Sequence, residues 1–527
     1  PIQVCIDFSA LGLTTTEGLK LYHFENGEGV NRTVSVDLAN QIACAEVSFL
    51  SPFALFTPLN ELFVSNFQTF IPHSAQGGGF LTRLFVTNPS NQPNRLSITR
   101  RDPSGTILET TETTLGPGGT VQLAGTEAER VGALGVEWLA LGSEYPLAAS
   151  ILFDFDSASL DLAEDFRTAV GALPGPPVSS FTVPVRVATL DVTVSLALAN
   201  LTDADNQVTL TLRDTTGATR ATDSLTLGPF AQAAFSLQDR DAFRNAVLGV
   251  PEFVGSLDVA ATDPAAPLAA LVAANERGQL TSLPVSQSTM DAVSPPPPDP
   301  IAGGGPRTFL PHSATGGGFL TRVLLTNLTR SINVVTLHRY EQNGLLGDRR
   351  ILSLPPQGTV LLADSEAARA GPLGINWFAL RSDFEIIASM LFDFDSAALG
   401  LAEDFRTAVS ALPSLPLLAF TAPVRVAGVE DTVGLALANL SSQSTEVTLK
   451  LRDASGTVVA EDSLVLDGLA QTAFVLHDRA AFRDVLLGSG EFLGSLAVTS
   501  GQPVAALVVG SSNRQLFALP VTPGAAE

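Results

Sequence analysis

The sequence predicts an all-β protein built of tandem sandwich modules, on three observations: residue usage, a two-residue hydrophobic period and long internal repeats. A chain of 527 residues is longer than one hydrophobic core serves, so several domains are expected. Hydrophobic residues at 45% exclude a wholly disordered polymer. Phe (30), Gly (44) and Pro (34) are plentiful, whereas Met, Trp and Tyr are scarce. Aromatic and β-branched residues interrupted by Gly and Pro read as short strands joined by turns.

Residues 1–57 stand apart from everything that follows and read as a partial β-sandwich module. Ile2, Val4 and Ile6 alternate with Gln3, Cys5 and Asp7, and Val47 and Phe49 alternate with Glu46 and Ser48. Cys5 and Cys44, the only cysteines, therefore occupy the polar-flanked faces of two strands and are expected to pair as a disulfide in an exported protein. In the chain-entropy picture, closing a loop of this length contributes about 4 kcal/mol.

The remainder is repetitive. Pro72–Arg83, PHSAQGGGFLTR, returns as PHSATGGGFLTR at Pro311–Arg322. Leu152–Val170, LFDFDSASLDLAEDFRTAV, returns as LFDFDSAALGLAEDFRTAV at Leu391–Val409. Both copies are displaced by 239 residues, so nearly half of the chain is duplicated. A weaker repeat of 112 residues lies inside each half. Asn88, Asn200, Asn327 and Asn439 each end an apolar strand, and 17 residues later come the turn glycines Gly105, Gly217, Gly344 and Gly456. Four related modules follow, at 66–175, 178–288, 306–414 and 417–521. A Pro/Gly linker at 289–305 separates the second from the third, its prolines stiff and its glycines a hinge.

The strands are clearest in the even modules. Val192, Val194, Leu196 and Leu198 alternate with small or polar residues, as do Val208, Leu210 and Leu212, and then Val447, Leu449 and Leu451. Such a period places the aliphatic set on one face of half-buried antiparallel strands. About seven strands in ~110 residues is the size of an immunoglobulin-like sandwich, with a jelly roll as the alternative because strand order is invisible at this stage. Short helical turns are expected at 239–247 and 478–486.

Two resemblances extend this reading. Val4–Phe8, Leu19–Gly27, Ser35–Asp37 and Leu50–Phe56 resemble a β-sandwich module typical of the C-terminal regions of large bacterial surface proteins. That family carries a tryptophan after the Glu-Asn-Gly turn, where this chain has Gly29, and Cys-Gly where this chain has Cys44-Ala45. The later modules resemble bacterial cell-surface and secreted tandem β-sandwich repeat proteins. The shared features are a Gly-Gly-Gly-aromatic turn (Gly77–Phe80), a strand ending in Asn and an Arg-Asp-x-x-Gly hairpin (Arg101–Gly105). The resemblances imply fold and an extracellular or cell-surface location, not a reaction. In the first family the matching segment is the second half of a sandwich, which implies an apolar face and an edge that something else covers. Strand addition from a neighbouring subunit or from preceding polypeptide would do so. The run Gln515–Val521 is one candidate donor, although closing its own module is the simpler role.

The formal charge of −24 is spread along the chain with no basic stripe, and Lys20 and Lys450 are the only lysines, so nucleic acid is excluded as a partner. No apolar run is long enough to span a bilayer and no signal peptide or anchor tail is recognisable, so membrane insertion is not expected. The start at Pro1 reads as a processed product or part of a longer polypeptide.

No catalytic, cofactor-binding or metal site emerges. The acidic stretch Asp154, Asp156, Asp161, Glu164 and Asp165 misses the EF-hand spacing, and its copy keeps Asp393, Asp395, Glu403 and Asp404 but has Gly400 in place of one acid; a solvated hairpin is expected rather than calcium. Gly77–Gly79 and Gly316–Gly318 lack the Gly-Lys-Ser/Thr of a phosphate loop and read as turns or bulges. His73 and His312 have no second ligand at metal spacing, and Trp138 and Trp377 read as packing residues. Asn31, Asn200, Asn327 and Asn439 match the N-glycosylation pattern, but the last three sit where a turn itself favours asparagine. The expected function is therefore non-enzymatic and structural: a surface-layer, stalk or self-assembling fibre subunit. The alternative is a carbohydrate- or protein-binding accessory region of a larger secreted protein.

Overall fold

Where the sequence alternates, the chain forms strands. The computed structural model describes residues 2–7, 20–25, 28–37, 39–48, 53–56, 65–125, 127–156, 167–172, 177–188, 192–276, 279–287, 307–400, 406–411, 414–428, 431–488, 490–512 and 515–524. The Pro/Gly segment 289–305 lies outside them. The chain divides into two compact units, Pro1–Asn66 and Phe67–Glu527.

The first unit has strands β1 (Ile2–Asp7), β2 (Lys20–Glu25), β3 (Glu28–Asn31), β4 (Thr33–Asp37), β5 (Ile42–Val47) and β6 (Phe53–Phe56). They form two three-stranded sheets, β1-β5-β4 and β3-β2-β6. Cys5 lies directly opposite Cys44 in the β1–β5 register, with Cα atoms 4.0 Å apart, and the two are joined by a disulfide. On the other face of this sheet Ala43, Ala45 and Val47 are buried, yet Ile2, their neighbour on β1, is 41% exposed.

The second unit repeats one sandwich four times. Its first module runs β7 (Phe67–Gln76), β8 (Phe80–Thr87), β9 (Asn94–Arg101), β10 (Ile107–Leu115), β11 (Thr120–Ala124), β12 (Gly135–Ser143), β13 (Ala148–Asp156) and β14 (Arg167–Ala172). Two four-stranded antiparallel sheets result, β10-β9-β12-β7 and β11-β8-β13-β14. The last strand is the one that the alternation does not mark out. The second module has β15 (Ser180–Val187), β16 (Val192–Asn200), β17 (Asn206–Asp214), β18 (Thr219–Leu227), β19 (Gln232–Ser236), β20 (Phe253–Ala261), β21 (Leu268–Glu276), β22 (Gln279–Leu283) and the short β23 (Ser286–Gln287). The third has β24 (Arg307–Thr315), β25 (Phe319–Asn327), β26 (Asn333–Glu341), β27 (Leu346–Leu354), β28 (Thr359–Ala363), β29 (Gly374–Ser382), β30 (Ile386–Asp395) and β31 (Arg406–Ala411). The fourth has β32 (Leu417–Ala427), β33 (Thr432–Asn439), β34 (Thr445–Asp453), β35 (Val458–Leu466), β36 (Gln471–Val475), β37 (Glu491–Ser512), β38 (Gln515–Leu519) and β39 (Thr522–Pro523).

Strand order is the same in all four, and in the fourth the single long β37 runs through both sheets. The protein is thus an all-β sandwich protein with a duplicated pair of modules. β38 pairs with β37, so the run Gln515–Val521 closes its own module, as β22 does against β21.

Odd and even modules differ in what lies between the strands matching β11 and β12. The even ones carry a helix there, α1 (Asp241–Leu248) and α2 (Ala480–Gly488), each preceded by a single 3-10 turn. Phe243 and Val247 of α1, and Phe482 and Leu486 of α2, are buried in the cores of their sandwiches beside Leu210 and Leu212, or Leu449 and Leu451. The odd modules have only the short helical turns Glu127–Arg130 and Glu366–Ala370.

Candidate functional sites: the module joints and two inter-sheet clefts

The turn glycines 17 residues beyond each asparagine are joint residues. Gly105, Gly217, Gly344 and Gly456 all have left-handed φ between 83° and 93°. At each, an added Cβ would run into a carbonyl oxygen of the next module, that of Pro229, Pro356, Gly468 or Pro117 respectively. Only glycine supplies both the backbone conformation and the closeness of approach. The last of these contacts joins the fourth module to the first, so the modules close into a cycle.

One backbone hydrogen bond repeats at every joint. Gln232 N donates to Pro103 O (2.9 Å), Thr359 N to Thr215 O (3.2 Å), Gln471 N to Gln342 O (2.9 Å) and Thr120 N to Ala454 O (3.0 Å). The receiving turns hold a left-handed residue at one equivalent position: Gly118, Phe230, Gln357 and Leu469. In the two odd-to-even joints an indole reaches that residue's carbonyl, Trp138 Nε1 to Phe230 O and Trp377 Nε1 to Leu469 O. In the closing joint Ser495 Oγ donates to Gly118 O instead (2.9 Å). Arg101 lies over the Phe230 ring at 4.4 Å, adding a cation–π contact. Apolar clusters continue across three joints: Ala197 and Leu271 pack with the first module, Ala436 and Leu507 with the third, and Phe85 and Leu152 with the fourth. Between the second and third, Arg322 approaches Glu276 at 3.6 Å. Strands β14, β22, β31 and β38 neighbour one another in the same cyclic order.

His73 and His312 also belong to joints. Nδ1 of each meets the side-chain amide of Gln232 or Gln471 in the next module, at 3.1 and 3.0 Å. Burial, which disfavours the charged imidazolium, lowers both pKa values to about 4.

The two best-preserved repeats meet inside each odd module. Gly77, Gly78 and Gly79 all have positive φ, and Gly79 N donates to Arg130 O while Asp156 N donates to Gly79 O. Arg130 reaches back to Gly79 O (3.1 Å) and Asp154 O (2.9 Å), and its guanidinium pairs with the Asp154 carboxylate (3.0 Å). Arg83 pairs with the same carboxylate at 2.9 Å. Arg322, Arg369 and Asp393 repeat this in the third module. The solvated hairpin expected at Asp154 and Asp393 is thereby corrected: both carboxylates are buried, and arginines occupy the coordination that a cation would have used. Asp161, Glu164, Asp165, Glu403 and Asp404 lie outside the described residues. Among the described residues no group of three or more His, Cys, Asp or Glu could hold a metal ion.

The repeated asparagines are buried turn locks. Asn200 Nδ2 donates to Ala204 O and Gly228 O, while its Oδ1 accepts from Thr202 N, and Asn88, Asn327 and Asn439 do the same in their modules. Their amides are occupied by backbone, which is the turn role inferred from the sequence.

A site the sequence reading missed lies between the sheets of the odd modules, in the place that α1 and α2 fill in the even ones. In the first module the cleft holds about 250 Å³ and is lined by polar groups, among them Ser74, Gln76, Thr82, Arg100, Glu109 and Glu137. Strand register makes these the counterparts of Val185, Val187, Val194, Leu212, Ala221 and Gly255 in the second module. Arg100 donates to Glu137 (Nε, 3.0 Å) and to Glu109 (Nη1, 3.1 Å), and Gln76 donates to Glu129 (2.7 Å). Burial works against the Arg100 charge, but the two carboxylates outweigh it and raise its pKa. The third-module cleft holds about 50 Å³. There Asn376 stands in place of Glu137, and Arg339 Nε has no hydrogen-bond partner among the described residues. The sequence carries one sign of it: Leu96, Ile98 and Arg100 share one face of β9, so an arginine ends a core-facing row.

No family model and no curated protein matches the chain. Among solved structures it is similar to Thermotoga maritima 1070, at 12% identity over 20% of this chain and 91% of that one, with a TM-score of 0.17. It is similar to the serine-rich repeat protein Srr2 from Streptococcus agalactiae, at 10% identity over 50% of this chain and 84% of that one, with a TM-score of 0.11. It is also similar to trypsin-activated alpha-2-macroglobulin from Escherichia coli, at 8% identity over 96% of this chain and 39% of that one, again with a TM-score of 0.11. At such scores these likenesses carry no argument, and the sandwich fold rests on the chain's own sheets.

Proposed function

We propose that this chain is a non-enzymatic extracellular structural protein, a building block of a surface layer or fibre. The observation that carries the reading is the cyclic closure of the four modules through one repeated set of joint contacts. Catalytic chains place flexible loops and titratable groups around a pocket. Here the strongest recurrent chemistry is spent on fixing one module against the next, which suits a rigid block better than a string of separate beads. The Cys5–Cys44 disulfide supports an oxidising compartment.

The N-terminal unit is the connector in this reading. Ile2 is exposed on the apolar face that Ala43, Ala45 and Val47 share, and among the described residues β1 is an edge strand. A strand donated by a second copy, or by preceding polypeptide, would cover both the face and the edge. The test compares the assembly state of the full chain with that of residues 67–527, by light scattering and electron microscopy. Assemblies formed by the full chain alone support the reading. If both stay monomeric at high concentration, or both form the same polymer, the N-terminal unit is not the connector.

A further inference from the structure

We propose that the joint between the second and third modules is a seam at which a second copy of this chain docks, by exchange of whole module pairs. The other three joints each carry a side-chain bond onto the left-handed turn residue, from Trp138, Trp377 and Ser495. Strand register makes Ser256 their equivalent: it lies opposite Arg213, as Trp138 lies opposite Arg101, Trp377 opposite Tyr340 and Ser495 opposite Arg452. Among the described residues Ser256 Oγ has no hydrogen-bond partner, although the residue is only 1% exposed. Glu276 Oε1, on a residue 5% exposed, accepts no hydrogen bond either and meets Arg322 only at 3.6 Å. A buried polar atom without a partner weakens the joint that encloses it. An apolar cluster crosses each of the other three joints, and among the described residues none crosses this one. The cycle therefore opens here first.

The seam and the closing joint are copies of one contact. Gly217 fits against Pro356 O as Gly456 fits against Pro117 O, and Thr359 N donates to Thr215 O as Thr120 N donates to Ala454 O. Strand β15 neighbours β25 and β30, as β32 neighbours β8 and β13. Both contacts lie between the same two bodies, the first-second pair and the third-fourth pair, each sealed internally by an indole bond and a shared apolar cluster. Within the pairs only residues 173–179 and 412–416 separate the last strand of one module from the first of the next, whereas residues 288–306 separate β23 from β24. The two pairs are thus tethered partners, and a second copy offers each of them an identical partner. Where copies crowd to mM concentrations, as in a surface layer, that partner competes with the tethered one. Head-to-tail faces of this kind close into rings or continue as filaments. The exchange needs no part of the N-terminal connector.

The test deletes residues 289–305 from the full chain. Ser288 and Pro306 then remain between β23 and β24, a reach of about 11 Å. Those strands stand two sheet-packing layers apart, roughly 20 Å, so a chain shortened in this way cannot close on itself. Size exclusion with light scattering is expected to find twice the chain mass, with folding checked by circular dichroism. Adding Gly217→Arg and Gly456→Arg, which block both contacts between the pairs, should return the shortened chain to a single chain mass. Removing residues 1–66 from it should leave the dimer intact, which separates this interface from the N-terminal connector. The proposal is overturned by a folded single chain after the deletion, by a dimer that persists with both glycines replaced, or by a dimer that needs residues 1–66. Should the shortened chain not fold, the parent decides. Unlabelled and nitrogen-15-labelled parent, concentrated together to about 1 mM and passed through a urea step, should give mixed-isotope dimers by native mass spectrometry. Monomers alone would overturn the proposal equally.

Discussion

Trp138 of the first module donates its indole N–H to the backbone carbonyl of Phe230 in the second, across 3.0 Å, and Phe230 is held in a left-handed conformation with φ of 54°. The indole is buried, and the bond stands beside the Arg101–Phe230 and His73–Gln232 side-chain contacts at the same joint. Trp138→Phe keeps most of the apolar volume and removes the donor. Its expected cost is about 1–2 kcal/mol, the price of leaving a buried carbonyl less well satisfied. Calorimetric unfolding of residues 67–527 should record it as a lowered Tm, with Trp377→Phe giving a similar loss at the equivalent joint. A change within error for both variants would mean that the indoles only fill space.

Two glycines of the fourth module separate backbone strain from joint contact. Gly456 and Gly428 have similar φ, 89° and 84°, but an added Cβ at Gly456 meets Pro117 O whereas at Gly428 nothing lies within 4 Å. Gly428→Ala should therefore cost about 1 kcal/mol, the ordinary left-handed penalty. Gly456→Ala adds a collision with the first module and should cost at least about 2 kcal/mol more. Paired urea titrations compare them, and equal losses would show that the closing joint is loose in solution.

Acid should loosen the odd-to-even joints. His73 and His312 have folded pKa values of about 4 against an ordinary 6.5, so they fold as neutral imidazoles. The unfolded chain takes up their protons first as pH falls. Stability from this source is complete above pH 6.5 and is lost progressively down to pH 4, by about 2–3 kcal/mol for each histidine at pH 4.5. The double variant His73→Gln, His312→Gln should show a shallower fall in stability between pH 7 and 4.5 than the parent. Identical slopes would place the acid sensitivity elsewhere.

Much of this architecture was legible because strands announce themselves. Val192–Leu198 and Val208–Leu212 alternate, and both are strands with the aliphatic set inside. The spaced Asn and Gly residues were legible as turns but not as joints. The joints escape because their partners are backbone carbonyls, such as Pro103 O and Phe230 O, which any sequence provides. Left-handed Phe230, Gln357 and Leu469 give no glycine signal either. The acids at Asp154 and Asp393 looked solvated because Arg130 and Arg369, far off in sequence, fold over them. The clefts become visible only when odd and even strands are set in register, with Arg100 opposite Leu212 in role.

Cyclic closure also has a mechanical meaning. Phe67 and Gly524 belong to the first and fourth modules, which are neighbours in the cycle although farthest apart along the unit. Tension drawn between those two residues is carried first by the joint at Gly456 and Ser495, while the other three joints stay shielded. Once that joint parts, the load passes into the chain segments between modules and opens the remaining joints in series, releasing length in steps. A block closed in this way is stiff under small loads and extensible under large ones, with the stepwise release beginning where Ser495 lets go of Gly118.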